Sequence, residues 1–144
     1  MKLREPYTFF ADRSLGGSIV VDALRAGGYD AHAHDDFFAQ DTQDAEWLVA
    51  VGERGWVVLT KDEAIFRRPA EIGAVLRANV AIFTLGSGNV VAAEMAKRFL
   101  DGMRVIHRTL RRFDVPVAET LTANAVVRER YAAGRKLEKA IELK

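Results

Sequence analysis

Short apolar segments alternate along the chain with longer segments whose apolar residues recur at helical spacing. The short segments are rich in apolar or small residues and predict five strands, at 7–11, 29–34, 56–59, 80–85 and 116–121. The patterns of helical spacing begin near Ser14, Thr42, Pro69 and Asn89. Strand and helix are therefore expected to alternate from the start of the chain to about residue 121.

This alternation predicts a three-layer α/β/α fold with a central, mostly parallel sheet of four to five strands. The run 56–59 is typical of a central parallel strand, because it is apolar throughout and is followed at once by Thr60-Lys61-Asp62. We assign residues 1–123 to this domain. Residues 124–144 are interpreted as a basic, helical C-terminal tail.

The composition is that of a folded protein and excludes several classes of site. The chain has 144 residues, 49% of them hydrophobic and 28% charged, which fits one globular domain. The absence of cysteine excludes disulfides, thiolate zinc sites and cysteine nucleophiles. No apolar run approaches the ~20 residues of a membrane span, and the first residues lack the apolar segment of a signal peptide. We therefore expect a cytoplasmic protein without membrane association.

Charge is distributed unevenly between the two halves of the chain. The net charge is only +1, but residues 1–66 hold six basic and twelve acidic side chains, while residues 67–144 hold fifteen basic and eight acidic ones. Such asymmetry suggests a surface that binds a polyanion beside a region of a different kind.

Two acidic residues lie where a site is expected in an α/β sheet, just after the carboxyl ends of strands, and a third lies in a helix. Asp12 follows the first predicted strand directly, and Asp62 follows the third after Thr60-Lys61. Asp44 lies in the first turn of the helix that leads into the third strand, on the face that also carries Trp47.

Each acid also has a simpler interpretation. Asp12 could begin a turn, Asp44 could complement the positive end of its helix, and Asp62 could cap the next helix. The presence of all three acids at one edge of the sheet favours a cation-binding site, because acids gathered there repel one another unless a cation neutralises them. Carboxylates without cysteine predict a hard cation, Mg²⁺ or Mn²⁺, rather than zinc.

Other polar residues near these acids give weaker signals. Asp36 is a candidate fourth acid, and Asp41 is equally compatible with a helix cap or a ligand. His32 and His34 alternate as a strand would place them on one face, but two histidines make a weak zinc signal and fit ordinary, partly exposed strand residues. Thr60 is a candidate hydrogen-bond partner of the metal ligands, because it lies two residues before Asp62 and so on the same side of the strand.

Spacing argues against other acid-based α/β sites. A phosphoaspartyl hydrolase requires Asp-x-Asp after the first strand, and position 14 is Ser. A receiver domain requires an acidic pair at that place and a Lys after the fifth strand, and neither is present. The sequence also contains no GxxxxGK[ST] loop for nucleotide phosphates.

The long helical pattern from 90 to 112 has one basic side. At about 100° per residue, its apolar residues form one stripe, which we interpret as core, and the opposite side is basic. The residues of this basic stripe are Lys97, Arg104, Arg108 and Arg111. Such a stripe is either a solvated helix face or a surface that holds phosphates without reading sequence.

Three segments of the chain carry a resemblance to a known family. They are Phe9-Phe10-Ala11-Asp12-Arg13-Ser14-Leu15, Asp44-Ala45-Glu46-Trp47-Leu48 and Trp56-Val57-Val58-Leu59-Thr60-Lys61-Asp62. Taken in order, they resemble the PIN-domain nucleases, and most closely the compact proteins of the VapC toxin type. The resemblance covers about residues 7 to 86, and the run that ends in Thr-Lys-Asp is its most specific element.

The resemblance implies a parallel sheet flanked by helices, an acidic cluster that binds Mg²⁺ or Mn²⁺, and metal-dependent cleavage of RNA. It assigns the catalytic and metal-binding roles to Asp12, Asp44 and Asp62. Larger members carry a further acid in an early helix, which matches only Asp36 or Asp41 loosely. Many members are toxins that an antitoxin blocks by placing its tail in the active groove.

The sequence thus predicts a metal-dependent endoribonuclease that is the toxin of a type II toxin–antitoxin pair. An antitoxin is the expected protein partner, and Leu137 and Ile141 in the tail are candidates for a homodimer contact. Two alternatives stay open: a nuclease of the same fold that acts on single-stranded or structured DNA, and a non-catalytic α/β module whose basic helix binds a protein.

Overall fold

The computed structural model describes residues 1–61, 67–86, 90–123, 126–132, 135–138 and 141–142. Within them, eight strands form one sheet: β1 Thr8–Ala11, β2 Asp30–Ala33, β3 Val57–Thr60, β4 Ala81–Leu85, β5 Val117–Leu121, β6 Val126–Ala132, β7 Arg135–Glu138 and β8 Ile141–Glu142. The same residues contain four α-helices: α1 Ile19–Ala26, α2 Asp44–Glu53, α3 Pro69–Ala78 and α4 Ala92–Arg112. None of the described helices is both long and apolar enough to cross a membrane.

The first five strands are parallel and lie in the order β2-β1-β3-β4-β5. Strands β3, β4 and β5 are buried along their whole length, which explains why β3 and β4 are apolar almost throughout. Helices α1 and α4 pack together on one face of the sheet, and α2 and α3 pack together on the other. The predicted three-layer α/β/α fold with its mostly parallel sheet is therefore confirmed, but the predicted number of four to five strands is too low, because three antiparallel strands extend the sheet beyond β5.

The predicted helical tail is wrong for the residues that the structure describes. Strand β6 continues the sheet antiparallel to β5, and β7 and β8 pair with β6. This pairing depends on contacts between residues that are distant in the sequence: the guanidinium of Arg130 on β6 lies 2.6 Å from the carboxylate of Glu119 on β5. Both side chains are buried, and Thr109 of α4 donates a 2.6 Å hydrogen bond to the same carboxylate.

Two helix boundaries also differ from the prediction. The first helical pattern does not begin at Ser14, because a 3-10 turn at Arg13–Leu15 is interrupted by Gly16, whose φ of 70° stops a right-handed helix. The α-helix α1 begins only at Ile19. The predicted cap Asn89 lies outside the described residues, and α4 begins at Ala92 rather than at residue 90.

A close backbone contact sets the position of α2 against α3. A Cβ atom added to Gly52 of α2 would lie 2.1 Å from the carbonyl oxygen of Ala78, the last residue of α3, and 2.9 Å from Val80 Cγ1. Only a glycine therefore allows the two helices to approach this closely.

We expect Gly52→Ala to destabilise the fold by about 1–3 kcal/mol or more, because the added methyl group overpacks a backbone contact. Urea unfolding followed by circular dichroism measures this change. Gly17→Ala is the matched control, since a Cβ at Gly17 meets no atom within 4 Å. Equal stability of the two variants would show that α2 is not fixed at this contact.

A second prediction concerns the buried pair that holds β6. Arg130→Met should cost about 3–5 kcal/mol, because it leaves the Glu119 carboxylate buried without its cation. The double variant Glu119→Leu, Arg130→Met should be more stable than Arg130→Met, since it removes both charges. Urea unfolding measures the free energy of unfolding of each variant. If the double variant loses as much as Arg130→Met and Glu119→Leu lose together, the ion pair does not hold β6 to β5.

Candidate active site

Asp12 lies at the carboxyl edge of the sheet, directly after β1. Its backbone N–H donates a 3.0 Å hydrogen bond to the Leu59 carbonyl of β3, and its Oδ2 accepts a 2.7 Å hydrogen bond from Thr60 Oγ1. Its Oδ1 accepts a short hydrogen bond from the backbone N–H of Ser14, so that Asp12 also caps the 3-10 turn. The simple interpretation of Asp12 as the start of a turn is thus correct, and the same contacts fix the direction of its carboxylate.

Ser14 connects this turn to the end of β3. Its Oγ lies 3.1 Å from Thr60 Oγ1 and accepts a 3.0 Å hydrogen bond from the backbone N–H of Lys61. The predicted placement of Thr60 beside a site acid is observed, and Thr60 is only 2% exposed. The turn contact between Asp12 and Ser14 is a common pattern that could be predicted from the sequence, because an Asp side chain often accepts from the residue two positions later. The contacts of Ser14 with Thr60 and Lys61 have no such local signal.

Asp44 and Asp12 line the same small cavity. Asp44 is the first residue of α2, and its Oδ1 accepts a 3.0 Å hydrogen bond from Trp47 Nε1. The small cavity has a volume of about 60 Å³ and lies between α2, α3 and the sheet, with Thr60 and Glu71 among its lining residues. Glu71, in the first turn of α3, is an acid at the site that sequence reasoning missed.

A large cavity of about 430 Å³ also borders Asp12 and contains side chains of both charges. The candidate acid Asp36 lines it, as do Asp22 and Arg25 of α1 and Arg13 beside Asp12. Sequence reasoning missed Asp22, Arg13 and Arg25, whose proximity to Asp12 results from the packing of α1 and the 3-10 turn.

Asp41, the alternative helix cap, does not cap α2, because Gln43 occupies that position.

The third predicted ligand, Asp62, lies outside the described residues. In the sequence it follows Lys61, whose backbone N–H binds Ser14 beside Asp12. Among the residues that are described, no three Asp, Glu or His side chains are arranged to hold a metal ion. The donors present are carboxylate and hydroxyl oxygens, which suit a hard cation such as Mg²⁺.

The two histidines have different environments. His34 follows β2 in a short 3-10 turn, is 2% exposed and packs against Phe10 and Trp47. Its Nδ1 lies 3.1 Å from Asp35 Oδ1. His32 lies on β2, is partly exposed and stacks on Trp56. The interpretation as partly exposed strand residues is therefore right for His32 and wrong for His34, because the aromatic packing around Phe10 buries the latter.

The basic stripe of α4 extends away from Asp12 rather than towards it. Helix α4 joins the parallel strands β4 and β5, so it runs antiparallel to them and its end lies towards their amino edge. Arg111 accordingly pairs with Glu5, ahead of β1, at 2.8 Å. Lys97 pairs with Asp101 at 2.9 Å, and this hydrogen bond, together with the charge of Asp101, raises the pKa of Lys97. Arg104 is exposed, and Arg108 is partly exposed.

Comparison with known proteins agrees with this fold. A family model described as PIN like domain matches residues 7–87, which is more than half of the chain. The protein named "Putative ribonuclease VapC45" from Mycobacterium tuberculosis is 29% identical over 123 residues, which are 83% of this chain and 88% of that protein. No solved structure is significantly similar to the chain. Because the matched residues include β1 to β4 and the positions of all three candidate acids, the chain belongs to the family of PIN-like domain proteins.

Proposed function

We propose that this protein is a metal-dependent endoribonuclease that hydrolyses RNA phosphodiester bonds, and that it is the toxin of a type II toxin–antitoxin pair. The observation that carries the proposal is the Asp12 carboxylate, held by two hydrogen bonds at the carboxyl edge of the sheet and bordering the same small cavity as Asp44. Sites of open α/β sheets form at this edge.

The residues around the acids orient them for a ligand. Each oxygen of Asp12 accepts one hydrogen bond, from Ser14 or from Thr60, and a carboxylate oxygen retains a lone pair for a cation when it accepts only one. Trp47 Nε1 donates a hydrogen bond to Oδ1 of Asp44 and so fixes the direction of the Asp44 carboxylate. Fixed ligand directions reduce the ordering cost of binding a metal ion.

In the proposed site, Asp12, Asp44 and Asp62 hold Mg²⁺ or Mn²⁺, and Asp36 is the candidate for a further contact. A divalent ion there would activate a water for attack on phosphorus and offset the negative charge that builds on the phosphoryl oxygens. Thr60 keeps the Asp12 carboxylate aimed at this position through its 2.7 Å hydrogen bond. Thr60 itself is buried, which limits the movement of its hydroxyl.

The basic residues are proposed to hold the RNA backbone. Lys97, Arg104, Arg108 and Arg111 form the basic stripe on α4, and their charges suit phosphates without selecting a sequence. An antitoxin with an acidic segment would bind the same guanidinium groups and so compete with RNA.

The relative named as a ribonuclease favours RNA as the substrate, since the alignment covers most of both chains. Single-stranded or structured DNA remains the alternative substrate, because phosphate contacts do not distinguish the two polymers. A non-catalytic binding module is the second alternative, and metal binding separates it from a nuclease.

We expect Asp12→Asn to lower Mn²⁺ affinity and RNA cleavage at least a hundredfold, because an amide lacks the negative charge that a hard cation requires. Calorimetric titration with Mn²⁺ and cleavage of labelled RNA and DNA, with and without EDTA, measure both effects. Asp114→Asn is the control, since Asp114 is an exposed acid that lines neither cavity beside Asp12.

The outcomes of this experiment separate the three hypotheses. Cleavage that persists in EDTA would contradict the metal-dependent mechanism. Cleavage of DNA but not RNA would favour the alternative substrate, and a wild-type protein that binds no Mn²⁺ would favour the non-catalytic module.

The double variant Arg104→Ala, Arg108→Ala should weaken RNA binding similarly for all sequences. Each phosphate contact that is lost should reduce the slope of log K against log salt by about 0.7 for a single strand. Binding titrations at several salt concentrations measure this slope, and Arg77→Ala on α3 is the control for loss of an exposed arginine. An unchanged slope would exclude these two residues from the RNA interface.

A further inference from the structure

Four side chains on the outer part of the α2 face form a cluster that we call the aromatic platform: His32, Phe37, Arg54 and Trp56. The rings of His32 and Trp56 stack, with centroids 4.7 Å apart and an interplanar angle of 20°. Phe37 meets both rings edge-on at 5.3 Å. The Arg54 guanidinium lies over the rings of Phe37 and Trp56, at 5.2 and 5.0 Å from their centroids.

The aromatic platform faces solvent, unlike the rest of the aromatic residues around Phe10. Phe37 is 40% exposed, and Arg54 is exposed. Phe38, its neighbour in the chain, instead packs inward against Phe10 and His34. Phe37 thus presents a partly accessible ring, with the Arg54 guanidinium over it.

The aromatic platform lies on the same face of the sheet as Asp44, and its member His32 is the one nearest to Asp12. His32 is paired in register with Phe10, which lies two residues before Asp12 on the neighbouring strand. With a rise of about 3.3 Å per residue and about 4.8 Å between strands, the Cα atoms of His32 and Asp12 are roughly 8 Å apart. Phe37 also follows Asp36 directly, and Asp36 lines the large cavity beside Asp12.

A stacked pair of rings with an exposed phenyl ring and a guanidinium matches the chemistry of an unpaired nucleobase. Bases stack on aromatic side chains and on arginine planes, and this contact tolerates different sequences because every base has a π face. The Arg54 charge also suits the phosphate that accompanies each base. A base in a duplex is already stacked and paired, so the aromatic platform favours single strands.

We propose that the aromatic platform binds an unpaired base of the RNA strand whose phosphate reaches Asp12. This inference rests on the proposed nuclease function for its substrate and adds a base-binding subsite to it. Phe37 supplies the accessible stacking surface, Arg54 the cation, and the stacked pair of His32 and Trp56 holds Phe37 in place. The subsite makes the protein prefer single-stranded over double-stranded RNA.

The test measures binding without cleavage. In an Asp12→Asn background and in EDTA, the anisotropy of a labelled ten-nucleotide RNA reports affinity, and adding Phe37→Ala should raise Kd about fivefold or more. An abasic oligomer of the same length keeps the phosphates but has no bases, so Phe37→Ala should not change its Kd. Phe37→Trp should retain RNA affinity, because it restores a stacking ring.

Val49→Ala is the matched control, since Val49 is an exposed apolar residue of α2, 44% exposed, outside the aromatic platform. The proposal is overturned if Phe37→Ala binds RNA as tightly as its parent, or if it loses as much affinity for the abasic oligomer. Because the assay requires neither metal nor cleavage, its result is independent of the nuclease proposal. Base-dependent binding by a protein that cleaves nothing would contradict the nuclease function alone.

Discussion

The hydrogen bond from Thr60 to Asp12 joins the carboxyl ends of two adjacent parallel strands, and the site is built around it. A carboxylate near a second acid is costly unless donors compensate its charge, and Thr60 and the backbone of Ser14 provide two such donors. Ser14 in turn binds the backbone of Lys61, so the end of β3 and the turn after β1 are held as one unit. The directions of both acids then follow from the sheet and from α2.

The two oppositely charged halves of the chain do not correspond to an acidic site and a separate basic surface. The acidic half of the chain supplies Asp12 and Asp44, but it also supplies Arg13 and Arg25, which border the large cavity beside Asp12. The basic half contributes α4, whose Arg111 lies towards the amino edge of the sheet, about 21 Å along the helix from Lys97. The positive charge near Asp12 therefore comes from Arg13 and Arg25 of the acidic half, whereas the far end of α4 lies near the opposite edge of the sheet.

The sequence predicts well those features that depend on local pattern. Apolar runs predict the parallel strands. The ends of these strands predict that Asp12 lies at the carboxyl edge of the sheet, because parallel strands share this edge. Features that depend on distant residues were missed. The tail was predicted as a helix because the contact of Arg130 with Glu119 has no local signal, and Glu71 reaches the small cavity only through the packing of α3. Gly16 was overlooked because only its positive φ shows that it ends the first turn.

Helix α2 connects the proposed chemistry with the proposed base-binding subsite. It begins with Asp44 and ends one residue before Arg54, which spans about 15 Å at 1.5 Å per residue. Between these ends, Trp47 donates to Asp44 and packs on Phe10, the core ring that also contacts Trp56. The close approach of Gly52 to Ala78 fixes the same helix against α3. Because one rigid helix carries both ends, its length sets the distance between Asp44 and Arg54, and its packing sets their position relative to the sheet. A shift of α2 would therefore displace Asp44 and Arg54 together.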